Sequence, residues 1–387
     1  MSYYFLPQVN NADIIDNIKL KIGNNNIIIN KSLNIYLTSI KQQIDNCIML
    51  WDTYKKYTNK YEYIHSIIQH TKISVCKLKP LSRSFYKLIE ICNLLNLLDN
   101  ISSESISTFH LAEGPGGFIE AIQFMRENNN DKYYGMTLID NNNNNIPGWK
   151  KSKIFLSKHN NIIIESGLDK TGNLFNVDNL WYCYNKYKNT MNIITGDGGF
   201  DFSVDFNKQE ILSMKLIFCQ ICYAIAMQKK GGTFILKVFD TFYESSIDLI
   251  YILSSFYQKV IITKPDSSRQ ANSEKYIICK NFRLDNTYNI INNFSKFFPI
   301  INSDNEIKRF LNIDIPYLYI NKLEDINASI GQQQLENILA TLCLLDNNKQ
   351  DKLDTIKKNN IQKCIIWCDK YNLPYHKSVN QLNIFLT

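Results

Sequence analysis

Residues Phe109–Ala121 read FHLAEGPGGFIEA, and the fold turns on this stretch. An apolar run leads into Gly114 and a helix-like run follows Gly117, so the glycines occupy a strand-to-helix turn. In an open parallel sheet, ligands bind beside such turns, at the carboxyl ends of the strands. Glycine permits positive φ and close approach of a ligand to the backbone, and Pro115 stiffens the turn. A dinucleotide fingerprint fails here, because counting G-x-G-x-x-G from Gly114 puts Ile119 in place of the third glycine. The GK[ST] that closes a P-loop is missing as well. Taken alone, the stretch leaves two readings open: a cofactor cradle, or a tight turn between packed elements.

Short apolar runs recur on either side of this turn, with helix-like segments between them. They are STFHLA (107–112), YYGMTL (133–138), NIIIE (161–165), MNIITG (191–196), GTFILKVF (232–239), KVIITK (259–264) and KYIICK (275–280). Strands alternating with helices predict an α/β fold, a largely parallel sheet with helices on both faces. The connection PDSSRQANSE is too short for a crossover helix, so the last two strands are expected to pair antiparallel. Seven strands with the last antiparallel resemble the Rossmann-like sheet of class I methyltransferases.

Before this region, SLNIYLTSIKQQIDNCIMLWDTYKKY (32–57) reads as helix, and so does LSRSFYKLIEICNLLNLL (81–98). After about Leu284 the alternation stops, and QQQLENILATLCLLDNN and IQKCIIWCDKYN look helical. The expected organisation is a helical extension over 1–80, the α/β domain over 81–284, and a helical region over 285–387.

The chain has 387 residues, 45% of them hydrophobic, enough for one large domain with additions or for two domains. Asparagine runs at 128–130 and 141–145 read as compositional bias. The net charge of +7 is uneven, with eight Lys/Arg against three acids between Trp51 and Glu90, interleaved with five tyrosines. That mixture suits phosphate contact with base stacking, and equally a solvated basic helix face. The ten cysteines lack secretory spacing, and MSYYFLPQVNN is no signal peptide. Cys219 and Cys222 lie within the apolar LIFCQICYAIAM, which favours buried thiols over a zinc site, and Cys364 and Cys368 share a helix face. A reduced, intracellular protein is expected. No run of about 18 apolar residues is evident, so no membrane association is expected.

S-adenosyl-L-methionine carries no phosphate and needs a backbone-lined gap with carboxylates for its amino group and ribose. Glu113 stands at the first strand tip, and Asp140 follows the second strand, where a ribose-binding acid is expected. Three further stretches carry chemistry: TGDGGFD with Asp197, GGTFILKVFD with Lys237, and SRQANSEKYIIC with Glu274. A lysine inside FILKVF is costly to bury without a carboxylate or an exposed strand end.

Together with Lys87 in SRSFYKLIE, these residues resemble the FtsJ-like family of ribose 2′-O-methyltransferases, whose signature is a Lys-Asp-Lys-Glu tetrad. The resemblance covers roughly residues 80–282 and places Lys87, Asp197, Lys237 and Glu274 in the four positions, in order. It implies S-adenosyl-L-methionine as cofactor, held by Glu113, Gly114, Pro115, Gly116, Gly117, Phe118, Asp140 and Asp197, with no metal. The GPGGF loop and the GLDKTGNL segment look similar to cap-directed members from eukaryotes and large cytoplasmic DNA viruses. That likeness implies Asp169 or Asn173 near the adenosine. The implied partner is RNA, in the first instance the 5′ end of capped mRNA at its first transcribed nucleotide, with other capping or transcription subunits in attendance. The alternatives are methylation of structural RNA and a non-catalytic RNA-binding capping subunit. The Asn/Ile/Lys-rich composition would suit a giant virus, and hence cytoplasmic transcription sites or the virion.

The residue types fit that chemistry. A ribose hydroxyl is a poor nucleophile, so displacement at a sulfonium methyl needs alignment and help with one proton. On this reading Lys237 accepts or orients the 2′-OH proton, Asp197 positions Lys237 and the methyl donor, and Lys87 with Glu274 hold the hydroxyl. A lysine base requires a pKa lowered from ~10.4 toward neutrality, which burial and a second cation favour.

Overall fold

A computed structural model describes residues 2–9, 14–69, 71–101, 104–140, 146, 148–199 and 206–377. The NNNNN run at 141–145 and the Phe200–Asp201 end of TGDGGFD lie outside the described residues.

In chain order the elements are β1 (Tyr3–Phe5), β2 (Ile18–Ile22), α1 (Lys31–Asp45), α2 (Ile48–Thr58), α3 (Ser84–Leu95), β3 (Ser107–Leu111), α4 (Gly117–Arg126) and β4 (Lys132–Met136). There follow α5 (Lys153–Lys158), β5 (Ile162–Ile164), α6 (Val177–Tyr187), β6 (Met191–Gly196), α7 (Gln209–Met227), β7 (Gln228–Val238), α8 (Glu244–Phe256), β8 (Tyr257–Thr263) and β9 (Lys275–Phe282). The chain closes with α9 (Tyr288–Ser295), α10 (Phe298–Ile301), β10 (Ile307–Leu311), α11 (Tyr317–Asp346) and α12 (Gln350–Lys370).

Eight strands form one sheet in the order β1-β8-β9-β7-β6-β3-β4-β5. All seven runs marked in the sequence are strands of it. β3 to β7 pair parallel, and β9 lies antiparallel between β7 and β8, as the short connection requires. From β3 the chain proceeds outward through β4 and β5, then returns to the other side of β3 as β6. The strand order therefore reverses between β3 and β6, which is where an α/β sheet opens its ligand crevice.

Side-chain alternation splits the core between the two faces. Phe234, Leu236 and Val238 of β7 face one cluster, with α7 and α8, whereas Ile235 faces the other, with α3, α4 and α12. Lys237 shares the parity of Ile235, so its side chain leaves the sheet toward α3 and α4.

The flanking segments differ from the expectation of pure helix. β1 adds an eighth strand antiparallel to β8, and β2 pairs with β10 in a separate two-stranded sheet. β1 and β10 show no clear period and find partners far away in sequence, whereas IKLKI of β2 alternates strictly, a strand signal that the helical expectation passes over. The helix read over 32–57 breaks at Cys47, whose φ of −130° is not helical. The break lets Ile44 and Trp51 close on Ile338 of α11. Gly331 lets α1 and α11 touch, since a Cβ there would lie 2.7 Å from Leu33.

The expectation of no long apolar run also needs correction. α7 is long and apolar enough to cross a membrane, with mean hydropathy 1.5, yet 78% of that window is buried inside the fold. It is the central core helix, and Cys219 and Cys222 are both fully buried on it.

Candidate active site

The glycine loop resolves into packing positions and one open acid. Among the packing positions, Gly114 leaves no room for a side chain, because a Cβ would lie 2.5 Å from the Gly148 carbonyl oxygen. Gly117 abuts the Ser82 and Ser84 hydroxyls at the start of α3. Gly116 carries the positive φ, 106°, that turns the chain into α4. The Pro115 carbonyl accepts the Ser152 hydroxyl, and Phe118 is fully buried with its ring centroid 6.0 Å from that of Tyr276.

Glu113 is different. Its Oε1 accepts the Phe118 N–H at 2.5 Å, at the start of α4, while its buried Oε2 has no partner among the described residues. Burial, reinforced by Asp197, pushes its pKa well above the ordinary carboxylate value.

The loops after β4 and β5 latch together beside this turn. The Ile139 N–H donates to the Thr171 carbonyl at 2.7 Å, and Gly172 packs against the Thr137 carbonyl. Asp140, four residues beyond the end of β4, is partly buried. In the second of these loops, Asp169 spends its carboxylate internally, accepting from the Thr171 N–H and hydroxyl, from Asn176 and from Asn179. Backbone and side-chain bonds outweigh desolvation and lower its pKa to about 2. Asn173 likewise accepts the Phe175 N–H at 3.0 Å. The two residues expected near an adenosine thus shape their own loop through these bonds.

The four tetrad residues arrive from four elements and pair off. Lys87 of α3 meets Glu274, just before β9, with Nζ 2.6 Å from Oε1 and 2.8 Å from Oε2. Lys237 of β7 meets Asp197, just after β6, with Nζ 2.7 Å from the Asp197 carbonyl oxygen and 3.2 Å from Oδ1. These are the carboxylates that a lysine inside an apolar strand demands. Gly199 keeps the space over the second amine open, since a Cβ there would stand 3.3 Å from Nζ. The Asp197 N–H reaches the Leu111 carbonyl at 3.3 Å, which ties this pair to the end of β3 and so to Glu113.

Several positioning residues were not singled out in the sequence. Tyr276 lies opposite Lys237 in the β7–β9 register and donates its hydroxyl to Asp197 Oδ1 at 3.1 Å. Gln220 of α7 accepts the Gly198 N–H at 3.1 Å and steadies the turn that carries Asp197. Ser268 donates to Glu274 Oε1 at 2.8 Å. Lys264, at the end of β8, donates to the Asn272 and Glu274 carbonyls at 2.6 and 2.7 Å. Glu90, one turn beyond Lys87, accepts the N–H groups of Asp266 and Ser267 and so holds the β8–β9 connection. Lysine at the tip of KVIITK was a visible signal. The roles of Tyr276 and Gln220 depend on register and were not.

Electrostatics separates the two lysines. Burial lowers the Lys87 pKa, and Glu274 with Asp197 only partly offsets it. For Lys237 burial also acts downward, but Asp197, Glu274 and Glu113 together raise it above the ordinary lysine value. The sequence reading asked for a Lys237 pKa falling toward neutrality, and the structure shifts it the other way because the Asp197 carboxylate lies so close. Burial would raise Glu274, yet Lys87 and Lys237 hold it below the carboxylate range. Lys264 is pushed down to about 7, chiefly by burial.

A sheet that reverses between β3 and β6, with a glycine turn that leaves a carboxylate oxygen unpartnered among the described residues, fits an S-adenosyl-L-methionine-dependent methyltransferase. The FtsJ-like methyltransferase profile matches residues 80–282, and the chain belongs to that family. Among its relatives is the cap-specific mRNA (nucleoside-2′-O-)-methyltransferase 1 of Drosophila melanogaster, 35% identical over 179 residues, which are 45% of this chain and 22% of that protein. The Homo sapiens protein of the same name is 31% identical over 195 residues, 49% of this chain and 23% of that one. The Dictyostelium discoideum protein is 28% identical over 284 residues, 67% of this chain and 36% of that one. The chain therefore spans well under half the length of these relatives.

S-adenosyl-L-methionine is the cofactor, and the residues present fit it. The unpartnered Glu113 oxygen suits an ammonium group.

Proposed function

We propose that this protein methylates the ribose 2′-hydroxyl of RNA, at the first transcribed nucleotide of capped mRNA. One observation carries the reading: Lys237–Asp197 and Lys87–Glu274 converge at the strand reversal, tied through Asp197 to the Glu113 turn. The cap-specific names of the relatives support the choice of substrate.

Bound S-adenosyl-L-methionine supplies an electrophilic methyl group. The protein supplies alignment and proton handling. Lys237 is a cation at rest, held by both the carbonyl and the carboxylate of Asp197, and in that form it orients the hydroxyl by donating a hydrogen bond. Accepting the proton requires the neutral amine, whose fraction grows with pH. Lys87 and Glu274 offer a donor and an acceptor on the other side. Tyr276 and Gln220 keep Asp197 in place.

The segments outside 80–282 extend the surface available to a longer substrate or to another capping subunit, and a cytoplasmic site of transcription suits such a role. The test is one assay with labelled S-adenosyl-L-methionine on capped, uncapped and structural RNAs, with the methylated position mapped. Methyl on the first-nucleotide ribose of capped RNA is expected. Methyl on a base, or on structural RNA in preference, would overturn the reading.

A further inference from the structure

A cavity lies beside the start of α3. Its volume is about 370 Å³, and Arg83, Lys72, Lys79 and His65 are among the residues that line it. No carboxylate lines it among the described residues. Glu62, behind His65, is fully buried, and its two oxygens are taken by Arg269, Asn59 and Ser66. Glu62 therefore leaves the cavity positive.

Two buried polar atoms at this cavity lack protein partners among the described residues: Arg83 Nε and His65 Nε2. The first is a donor beside a charge. The second is an acceptor, because of the bonds behind the ring. Ser66 gives its hydroxyl proton to Glu62 Oε1 at 2.8 Å, so the Ser66 oxygen can only accept from His65 Nδ1, 3.1 Å away. Nδ1 therefore carries the imidazole proton, and Nε2 presents a lone pair. Burial, with Arg83 nearby, lowers the His65 pKa to about 3 and keeps the ring neutral.

A buried guanidinium, two exposed ammonium groups and a lone-pair acceptor match an anion that carries a hydroxyl close to it. A ribose-phosphate unit has that combination. The place fits too. Arg83 precedes Lys87 by four residues, just over one helical turn or ~6 Å along the axis. Its Nη2 donates to the Ser267 carbonyl at 3.2 Å, next to the Ser268 that holds Glu274. Nothing in the methyl-transfer step uses Arg83, Lys72, Lys79 or His65.

We infer that this cavity receives a ribose-phosphate unit of the RNA chain adjoining the nucleotide whose 2′-hydroxyl enters the tetrad. The inference rests on the RNA reading above and adds where the chain runs. Two parts of a capped RNA offer the same chemistry: the phosphate bridge with the cap ribose, and the nucleotide that follows the target.

The test is equilibrium RNA binding by the full chain across a salt series, run separately from the methylation assay. The double variant Lys72→Gln/Lys79→Gln changes two exposed side chains and leaves the fold alone. Arg83→Lys, checked by thermal unfolding, probes the buried cation. Affinity is expected to fall by about tenfold, with a log K against log salt slope shallower by roughly 0.7 for each phosphate no longer neutralised. Weaker binding of a cap dinucleotide assigns the cavity to the phosphate bridge, and weaker binding of longer RNA alone assigns it to the following nucleotide. Unchanged affinity and slope in the double variant would overturn the inference. Binding is read directly, so a wild-type protein that methylates no RNA ribose would count against the function and leave the cavity decided by its own result.

Discussion

The two lysine–carboxylate pairs at the centre of the site are alike in composition and opposite in behaviour. Lys87 faces a carboxylate that also serves Ser268, and its pKa falls. Lys237 is gripped by both the carbonyl and the carboxylate of one residue, and its pKa rises. Two buried lysines thus diverge according to how many acids each one sees. On the function proposed above, Lys237 orients the reacting hydroxyl as a cation and Lys87 with Glu274 frames it, and the raised Lys237 pKa makes the neutral amine that a base requires scarce.

The largest effect on stability is expected from Glu274→Gln, which leaves Lys87 buried without its counter-ion and should cost about 3–5 kcal/mol. Denaturant unfolding measures it. The folded pKa of Glu274 is depressed, so its stabilising contribution is complete above the ordinary carboxylate range and drains away as pH falls below it. The variant should therefore flatten the acid side of the stability profile. If that side is unchanged, the Lys87–Glu274 pair does not act as an ion pair.

Next comes the pH dependence of methyl transfer by the wild-type protein. With the Lys237 pKa raised above its ordinary value, the neutral amine is scarce at pH 7. The single-turnover rate should then climb by up to roughly tenfold per pH unit between pH 7 and 9. A flat profile would confine Lys237 to orienting the hydroxyl and would erase the difference in role between the pairs.

Lys264→Met tests the frame at one remove. It frees the Asn272 and Glu274 carbonyls and should cost about 1–3 kcal/mol, with a lower kcat and little change in the KM for either substrate. Glu113→Gln should have the smallest effect on the fold. Its folded pKa is raised, so the native protein loses stability as pH rises from the ordinary carboxylate value toward the folded one. Removing that charge should leave the protein as stable or slightly more stable at pH 8, while the KM for S-adenosyl-L-methionine increases. Destabilisation without a change in that KM would make Glu113 a turn residue only.

The sheet was legible because its strands are apolar, regularly spaced and separated by helical segments, as in MNIITG and GTFILKVF. The tetrad was legible from four motifs in order that resemble a known family; taken singly, the lysine in FILKVF stood out as costly to bury unpaired, whereas Asp197 and Glu274 read as ordinary turn residues. What stayed hidden depends on long-range geometry. β1 and β10 show no period of their own and are fixed by partners far away in sequence, although IKLKI of β2 does alternate. Tyr276 supports Asp197 only because the β7–β9 register sets it opposite Lys237. Asp169 looked like a ligand acid in GLDKTGNL, and only its four hydrogen bonds show how its own loop consumes it. Glu113 was marked by its place at the strand tip, and it keeps an oxygen without a partner among the described residues.

The most direct measurement is transfer of labelled methyl from S-adenosyl-L-methionine to capped RNA by Lys237→Ala, with RNA binding measured in parallel. A fall in transfer of about 10²–10⁴-fold with RNA binding retained is the expected result. Undiminished ribose methylation by that variant would contradict the account and remove Lys237 from the chemistry.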